Sequence, residues 1–172
     1  ERLTRLLGDL LDLSVLENGQ VRLNVQQVLL GDVIDRAIAA SGSSLKQMKI
    51  RRVHVNENVQ ISTDADRLVQ VFINIISNAQ KYCTAENPEL KIKIKALDEV
   101  LHIDFVDNGD GIASANQAVV FEKFSRLTDT VKAGSAGLGL AICREIMTKL
   151  NGQIQYVPGQ GGAAFRVILP KA

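Results

Sequence analysis

Within "INIISNAQKY", residues 73–82, Asn74, Asn78 and Lys81 recur at i, i+4 and i+7, within about 60° of one another on a helix of 3.6 residues per turn. They form a polar stripe beside an apolar face made by Leu68, Val71, Phe72, Ile75, Ile76 and Ala79, so they line an edge of the packing surface. A carboxamide oxygen is a hard, neutral ligand suited to Mg²⁺, which takes few protein ligands and completes its shell with water and phosphate oxygens. A lysine alongside adds a point charge for a phosphate. Taken alone, the same stripe also fits the solvated side of an amphipathic helix.

A second candidate is "DFVDNGDGIA", which ends a strand with Asp107, Gly109 and Gly111. By strand parity Asp107 shares a face with Leu101, Ile103 and Phe105, so its carboxylate points to the buried side, where an unpaired acceptor is costly. The exocyclic amine of adenine is a donor that would meet it. The plain alternative is an Asx turn with glycines at positive φ. A calcium loop is a poor fit because Gly109, Gly111 and Ala118 stand where acidic ligands belong. In "GSAGLGLAI", Gly134, Gly137 and Gly139 sit at the mouth of a helix, where backbone amides bind phosphate and glycine permits close approach. No Gly-Lys-Ser/Thr follows, and Ile142 occupies the third glycine position of a dinucleotide fingerprint. "GQGGAA", residues 159–164, is followed by a strand and reads as a loop.

The elements that must position these residues follow from periodicity. "ERLTRLLGDLLDLSVLENG" has leucines at helical spacing and a stop at Asn18-Gly19, and its pattern suggests a helix-pair or dimer stub cut from a longer protein. "VRLNV" alternates as a strand, and residues 31–48 read as a helix capped by Asp32. Short strands are expected at Ile50–Val55 and Val59–Ile61, and the helix carrying the polar stripe begins at "TDADRL", with acidic residues in its first turn. "LKIKIKAL" and "VLHIDFVD" form a hairpin around Asp98-Glu99. Residues 113–136 show little regular pattern. "GLGLAICREIMTKLNG" is a helix ended by Asn151-Gly152, and "QIQYV" and "AAFRVILP" are the closing strands. Runs of helix and antiparallel strand predict an α+β two-layer sandwich.

The bulk composition agrees. A chain of 172 residues suits one domain with a short appendage, and 46% hydrophobic with 23% charged residues is ordinary for a globular protein. A net charge of +1 gives no case for nucleic acid or an acidic membrane as partner, and two cysteines without C-x-x-C spacing fit a reducing compartment. No apolar run approaches the roughly 20 residues that span a bilayer, so this stretch is not expected to be membrane-embedded.

In order and spacing, "NIISNAQKY", "DNGDGI", "FEKF", "GSAGLGLAI" and "GGAAF" together resemble the N, G1, F, G2 and G3 boxes of the sensor histidine kinase catalytic domain, a member of the GHKL superfamily. The resemblance covers essentially the whole chain. It implies a Bergerat-type ATP-binding fold over residues 21–172, a mixed, mostly antiparallel sheet covered by helices, preceded over residues 1–20 by the end of a dimerisation and phosphoacceptor helix. It also implies ATP and Mg²⁺ as ligands. Asn78 matches the metal-holding asparagine with Asn74 alongside, Lys81 a phosphate contact, and Tyr82 a residue lining the nucleotide. Asp107 matches the adenine-reading aspartate, with Gly109, Gly111 and Ile112 forming its turn. Phe121 and Phe124 match the ATP lid, followed by Arg126, and Gly137, Leu138, Gly139 and Leu140 match the helix mouth under the phosphates.

Three positions depart from the family pattern. Ala136 and Ala164 stand where hydroxyl residues are common, and Lys123 replaces a proline of the F box. Hydrolytic relatives such as DNA gyrase carry a general-base glutamate four residues before the metal asparagine, and here that position is Asn74. A carboxamide cannot take a proton from water, so the resemblance implies phosphoryl transfer to a histidine and not ATP hydrolysis. Neither His54 nor His102 sits in a helical acceptor box, so the phosphoacceptor is expected on a separate helical domain. A response-regulator receiver domain, a homodimer of the full protein, and a cytoplasmic location, possibly with an inner-membrane anchor elsewhere, are further implications. The alternative is a nucleotide-binding sensor or docking module without kinase activity; a serine-directed kinase of the anti-sigma type is a third reading.

Overall fold

The computed structural model describes residues 2–19, 21–41, 48–53, 58–122 and 138–171. The elements run α1 (Arg2–Glu17), β1 (Gln26–Leu29), α2 (Leu30–Ala40), β2 (Lys49–Val53), β3 (Gln60–Thr63) and α3 (Ala65–Tyr82). They continue with β4 (Glu89–Ala96), β5 (Val100–Asp107), α4 (Ser114–Gln117), α5 (Gly139–Lys149), β6 (Gln153–Tyr156) and β7 (Ala164–Pro170). The main sheet has the order β2-β4-β5-β7-β6, with β2 parallel to β4 and every other pairing antiparallel. β1 and β3 form a separate antiparallel pair. The α+β sandwich expected from the runs of helix and antiparallel strand is therefore the observed architecture.

The hairpin β4–β5 turns at Asp98-Glu99 as expected, closed by the Leu97 amide donating to the Val100 carbonyl at 2.9 Å. Period-two burial along β5 sends Leu101, Ile103, Phe105 and Asp107 to one face. That face meets α3, whose Leu68, Val71, Phe72, Ile75, Ile76 and Ala79 are all buried, and the Phe72 and Phe105 rings lie 5.1 Å apart. α3 starts cleanly because Asp64 caps it, its carboxylate accepting from the Arg67 amide at 3.2 Å and from the Asn24 amide at 3.0 Å. α5 packs beside α3 with Ile142, Ile146 and Met147 buried in the common core, and stops where Asn151 takes a left-handed φ of 62° and Gly152 donates back to Met147.

Three expectations are corrected. The strand read at residues 21–25 is unpaired; pairing begins at Gln26, with Val28 opposite Ile61. Val21 and Leu23 alternate because they pack on the core as an extended chain, which needs no ladder. Asp32 is not the cap of α2: the strand runs straight into the helix, and the Leu30 amide is satisfied by the Val59 carbonyl at 3.0 Å. Residues 114–117 form the short helix α4 inside the stretch expected to be irregular.

The C-terminal end of α1 joins the same core through Leu13 and Leu16, and Asp12 accepts from Arg67 at 3.0 Å and Gln70 at 2.7 Å on α3. Its other side presents Leu7, Leu10, Leu11 and Val15 to solvent. None of the described helices is long and apolar enough to cross a membrane.

Candidate functional site

α3 spans the site from end to end. At its middle, Asn74 donates its amide to the carbonyl of Gly139, the first residue of α5, at 3.3 Å. Beyond its C-terminal end, Thr84 donates its hydroxyl to Asp110 at 3.0 Å and the Cys83 thiol lies 3.4 Å from Asn108, both in the turn after β5. Asn78 and Lys81 lie between these two anchor points, half-buried on the edge of the helix. At 1.5 Å per residue, the nine steps from Asn74 to Cys83 cover about 14 Å of helix axis. The helix thus joins a glycine-led helix terminus to a carboxylate-bearing turn.

That turn is built around Asp107. Its carboxylate is buried, as strand parity requires, and one of its two oxygens is already paired within the chain. Oδ1 accepts from the backbone amides of Gly109 at 2.9 Å and Ala163 at 3.0 Å. Oδ2 has no hydrogen-bond partner among the described residues. One oxygen therefore holds the loop, and the other keeps its acceptor capacity unused by the described residues. Asn108 ties the turn to the start of β4, donating to the Asn87 carbonyl and accepting from the Glu89 amide, each at 2.9 Å.

Two glycines are required here for different reasons. Gly111 has φ +76°, a left-handed conformation that a side chain would strain. At Gly162 the need is space: a Cβ would collide with the Asp107 backbone and lie 2.7 Å from its Oδ1. Gly162 and Ala163 belong to the run first read as a loop, so their part in the site was carried in the sequence only by the resemblance of "GGAAF" to the G3 box.

At the other end, α5 opens at Gly139, and its N-cap residue Leu138 makes no side-chain cap hydrogen bond among the described residues. The side chains of Leu138 and Leu140 are buried in the core. Under them, Cys143 is fully buried between α5 and α3, and burial pushes its thiol up to about 12 despite its contact with Asn74. Tyr82 is half-buried at the end of α3, and Ile112 is half-buried after Gly111. Phe121 is buried against Phe165, with ring centroids 6.0 Å apart. Phe124, Arg126 and Gly137, together with Gly134, Ala136 and Lys123, lie outside the described residues, as does His54.

Residues 63–172, which contain all of this geometry, match the family of histidine kinase-, DNA gyrase B- and HSP90-like ATPases. The chain belongs to that family. Among curated members it is 35% identical over 175 residues to the sensor protein kinase WalK of Staphylococcus haemolyticus, covering 99% of this chain and 29% of that protein. It is 31% identical over 177 residues to the sensor protein KdpD of Clostridium acetobutylicum, covering 99% of this chain and 19% of that protein. The chain thus spans less than a third of the length of these relatives. Among solved structures it is similar to full-length ShkA in complex with AMPPNP, with a TM-score of 0.82 and 26% identity over 99% of this chain and 36% of that one. The Acinetobacter baumannii histidine kinase AdeS gives a TM-score of 0.75 at 28% identity, over 98% of this chain and 78% of that one. As a member of this ATPase family the chain carries an ATP-binding domain.

Of the two histidines, His102 is the one among the described residues. His102 lies on the outer face of β5, opposite the helices, beside the Asp104–Arg166 pair whose contacts are 2.8 and 3.0 Å. Partial burial and the Arg166 charge lower its pKa, with Asp104 opposing them.

Proposed function

We propose that this chain is the ATP-binding kinase domain of a two-component sensor histidine kinase, transferring the γ-phosphoryl group of Mg-ATP to a histidine on a helical phosphoacceptor domain. The observation that carries this reading is Asn74. It occupies the position where a hydrolytic relative would hold a general base, and its amide is spent on the Gly139 carbonyl. No carboxylate stands there to activate water, so the nucleophile comes from elsewhere.

In this reading Oδ2 of Asp107 accepts from the adenine amine, and Asn78, Lys81 and the first amides of α5 meet the phosphates. The Asn78 carboxamide fits a magnesium ligand: it is neutral, half-buried, and without a hydrogen-bond partner among the described residues. Held by Asn78, a bound Mg²⁺ would supply charge neutralisation to the phosphate oxygens. The incoming imidazole nitrogen forms the new bond to the γ-phosphorus while the bond from phosphorus to the β–γ bridging oxygen breaks, and ADP leaves with that electron pair. The chain's own part is to orient ATP and to exclude a competing base.

The apolar side of α1, with Leu11 61% and Leu7 58% exposed, supports residues 1–20 as the end of a dimerisation helix appended to a catalytic domain of residues 21–172. A receiver domain as downstream partner, a homodimer, and a cytoplasmic setting belong to the same reading.

The test is phosphotransfer from γ-labelled ATP to a supplied acceptor domain carrying its histidine. Acid-labile label on the acceptor, and none on this chain alone, is the expected result. Equal ADP production with and without acceptor would replace the kinase reading by a hydrolase.

A further inference from the structure

The turn that carries Asp107 is held at its far end by a side chain that no motif contains. Tyr156, the last residue of edge strand β6, accepts a hydrogen bond on its hydroxyl from the backbone amide of Ile112 at 3.0 Å. The two residues are 44 apart in sequence. On its other side the Ile112 peptide is held too, its carbonyl accepting from Gln117 of α4 at 2.8 Å. A Cβ at Gly111 would lie 3.3 Å from the hydroxyl and 3.4 Å from the Gly162 backbone. From Asp107 through Gly162 and Gly111 to Tyr156, the turn is therefore packed without slack.

Packing alone does not call for tyrosine at this place. Tyr156 is on the same face of β6 as the buried Ile154, and its ring meets Phe165 edge-on, with centroids 5.5 Å apart and planes at 76°. Phenylalanine would make the same ring contact. The hydroxyl is the part that the core does not need, and it is placed by a ring whose orientation Phe165 already sets, so it holds Ile112 at little entropic cost.

We infer that Tyr156 is a positioning residue for the nucleotide: its hydroxyl fixes the Gly111–Ile112 end of the base-binding turn, and so sets affinity for ATP without touching the transferring phosphate. The inference rests on the assignment of Asp107 to the adenine, and its test separates the two. Tyr156→Phe keeps the ring and removes the acceptor, and Asp107→Asn serves as the reference for the site.

Calorimetric titration with Mg²⁺ and AMPPNP is expected to show affinity reduced about 3- to 10-fold in Tyr156→Phe, the range of one neutral hydrogen bond. With a supplied acceptor domain, KM for ATP should rise by a similar factor while kcat stays within about twofold. Amide exchange at Ile112 should accelerate while Ile154 and Phe165 keep their protection. Unchanged affinity in Tyr156→Phe, alongside lost affinity in Asp107→Asn, overturns the role of Tyr156 and leaves the site standing. Unchanged affinity in both variants overturns the site, and the inference with it. A fall in kcat together with lost protection at Ile154 and Phe165 would make Tyr156 merely structural, which also overturns the inference.

Discussion

Asp107 Oδ1 accepts from the amide of Ala163 at 3.0 Å across 56 residues of sequence, so the carboxylate proposed to read the base also joins β5 to the loop before β7. The two oxygens do different jobs, and substitution can separate them. In Asp107→Asn the amide oxygen can still accept from Gly109 and Ala163, but its NH₂ cannot accept from an adenine amine. Affinity for Mg-ATP is expected to fall about 10- to 100-fold, the range for a hydrogen bond to a charged group, with the ligand-free thermal midpoint nearly unchanged. Titration calorimetry and a thermal scan measure the two effects.

Gly162→Ala acts on the same contact from the opposite side. A Cβ there meets the Asp107 backbone, which cannot move without shifting β5. Overpacking of this kind costs about 1–3 kcal/mol. For a domain of this size that is a drop of roughly 2–12 °C in midpoint, and nucleotide binding should be lost with it.

Asn78→Ala separates the metal from the base. Because its carboxamide makes no hydrogen bond among the described residues, the ligand-free midpoint should stay within about 2 °C of wild type. Wild type with nucleotide at 100 times its Kd gains about 2.7 kcal/mol, on the order of 5–11 °C. The part of that gain requiring Mg²⁺ should vanish in the variant. A full Mg²⁺-dependent shift in Asn78→Ala would move the metal to another ligand.

Cys143 makes alkaline stability measurable. Its thiol ordinarily titrates near 9.0 but is held to about 12 in the folded chain, chiefly because burial penalises the thiolate. Between those values the folded state binds the extra proton, so stability falls as pH rises through the window, by at most about 1.4 kcal/mol per pH unit. Wild type should lose stability between pH 9 and 10.5 more steeply than Cys143→Ala. In the native state the thiol should resist alkylation.

Much of this protein was written locally. The period of 3.6 in α3 and of two in β4 and β5 follows from how side chains leave a helix or a strand, so those elements, their buried faces and the side to which Asp107 points were legible without coordinates. The spacing of Asn74, Asn78 and Lys81 likewise placed a polar edge beside the core. Where a local pattern had two physical causes, the reading failed: the alternation over residues 21–25 comes from packing on the core and not from a ladder, and Asp32 follows a helix start already satisfied by the Val59 carbonyl.

Only the tertiary structure decided who meets whom. That Asn74 bonds to Gly139, that Asp107 is already half satisfied by Ala163, and that Tyr156 holds Ile112 are contacts between segments 44 to 65 residues apart. No periodicity encodes such pairs, because hydrogen bonds between distant segments depend on the order in which strands pair in the sheet. The order β5-β7-β6 carries Ala163 and Tyr156 to the turn after Asp107, and that order is a property of the folded chain. Sequence determined which residues could do chemistry and on which face they would lie; the fold decided which of their atoms are left over to do it.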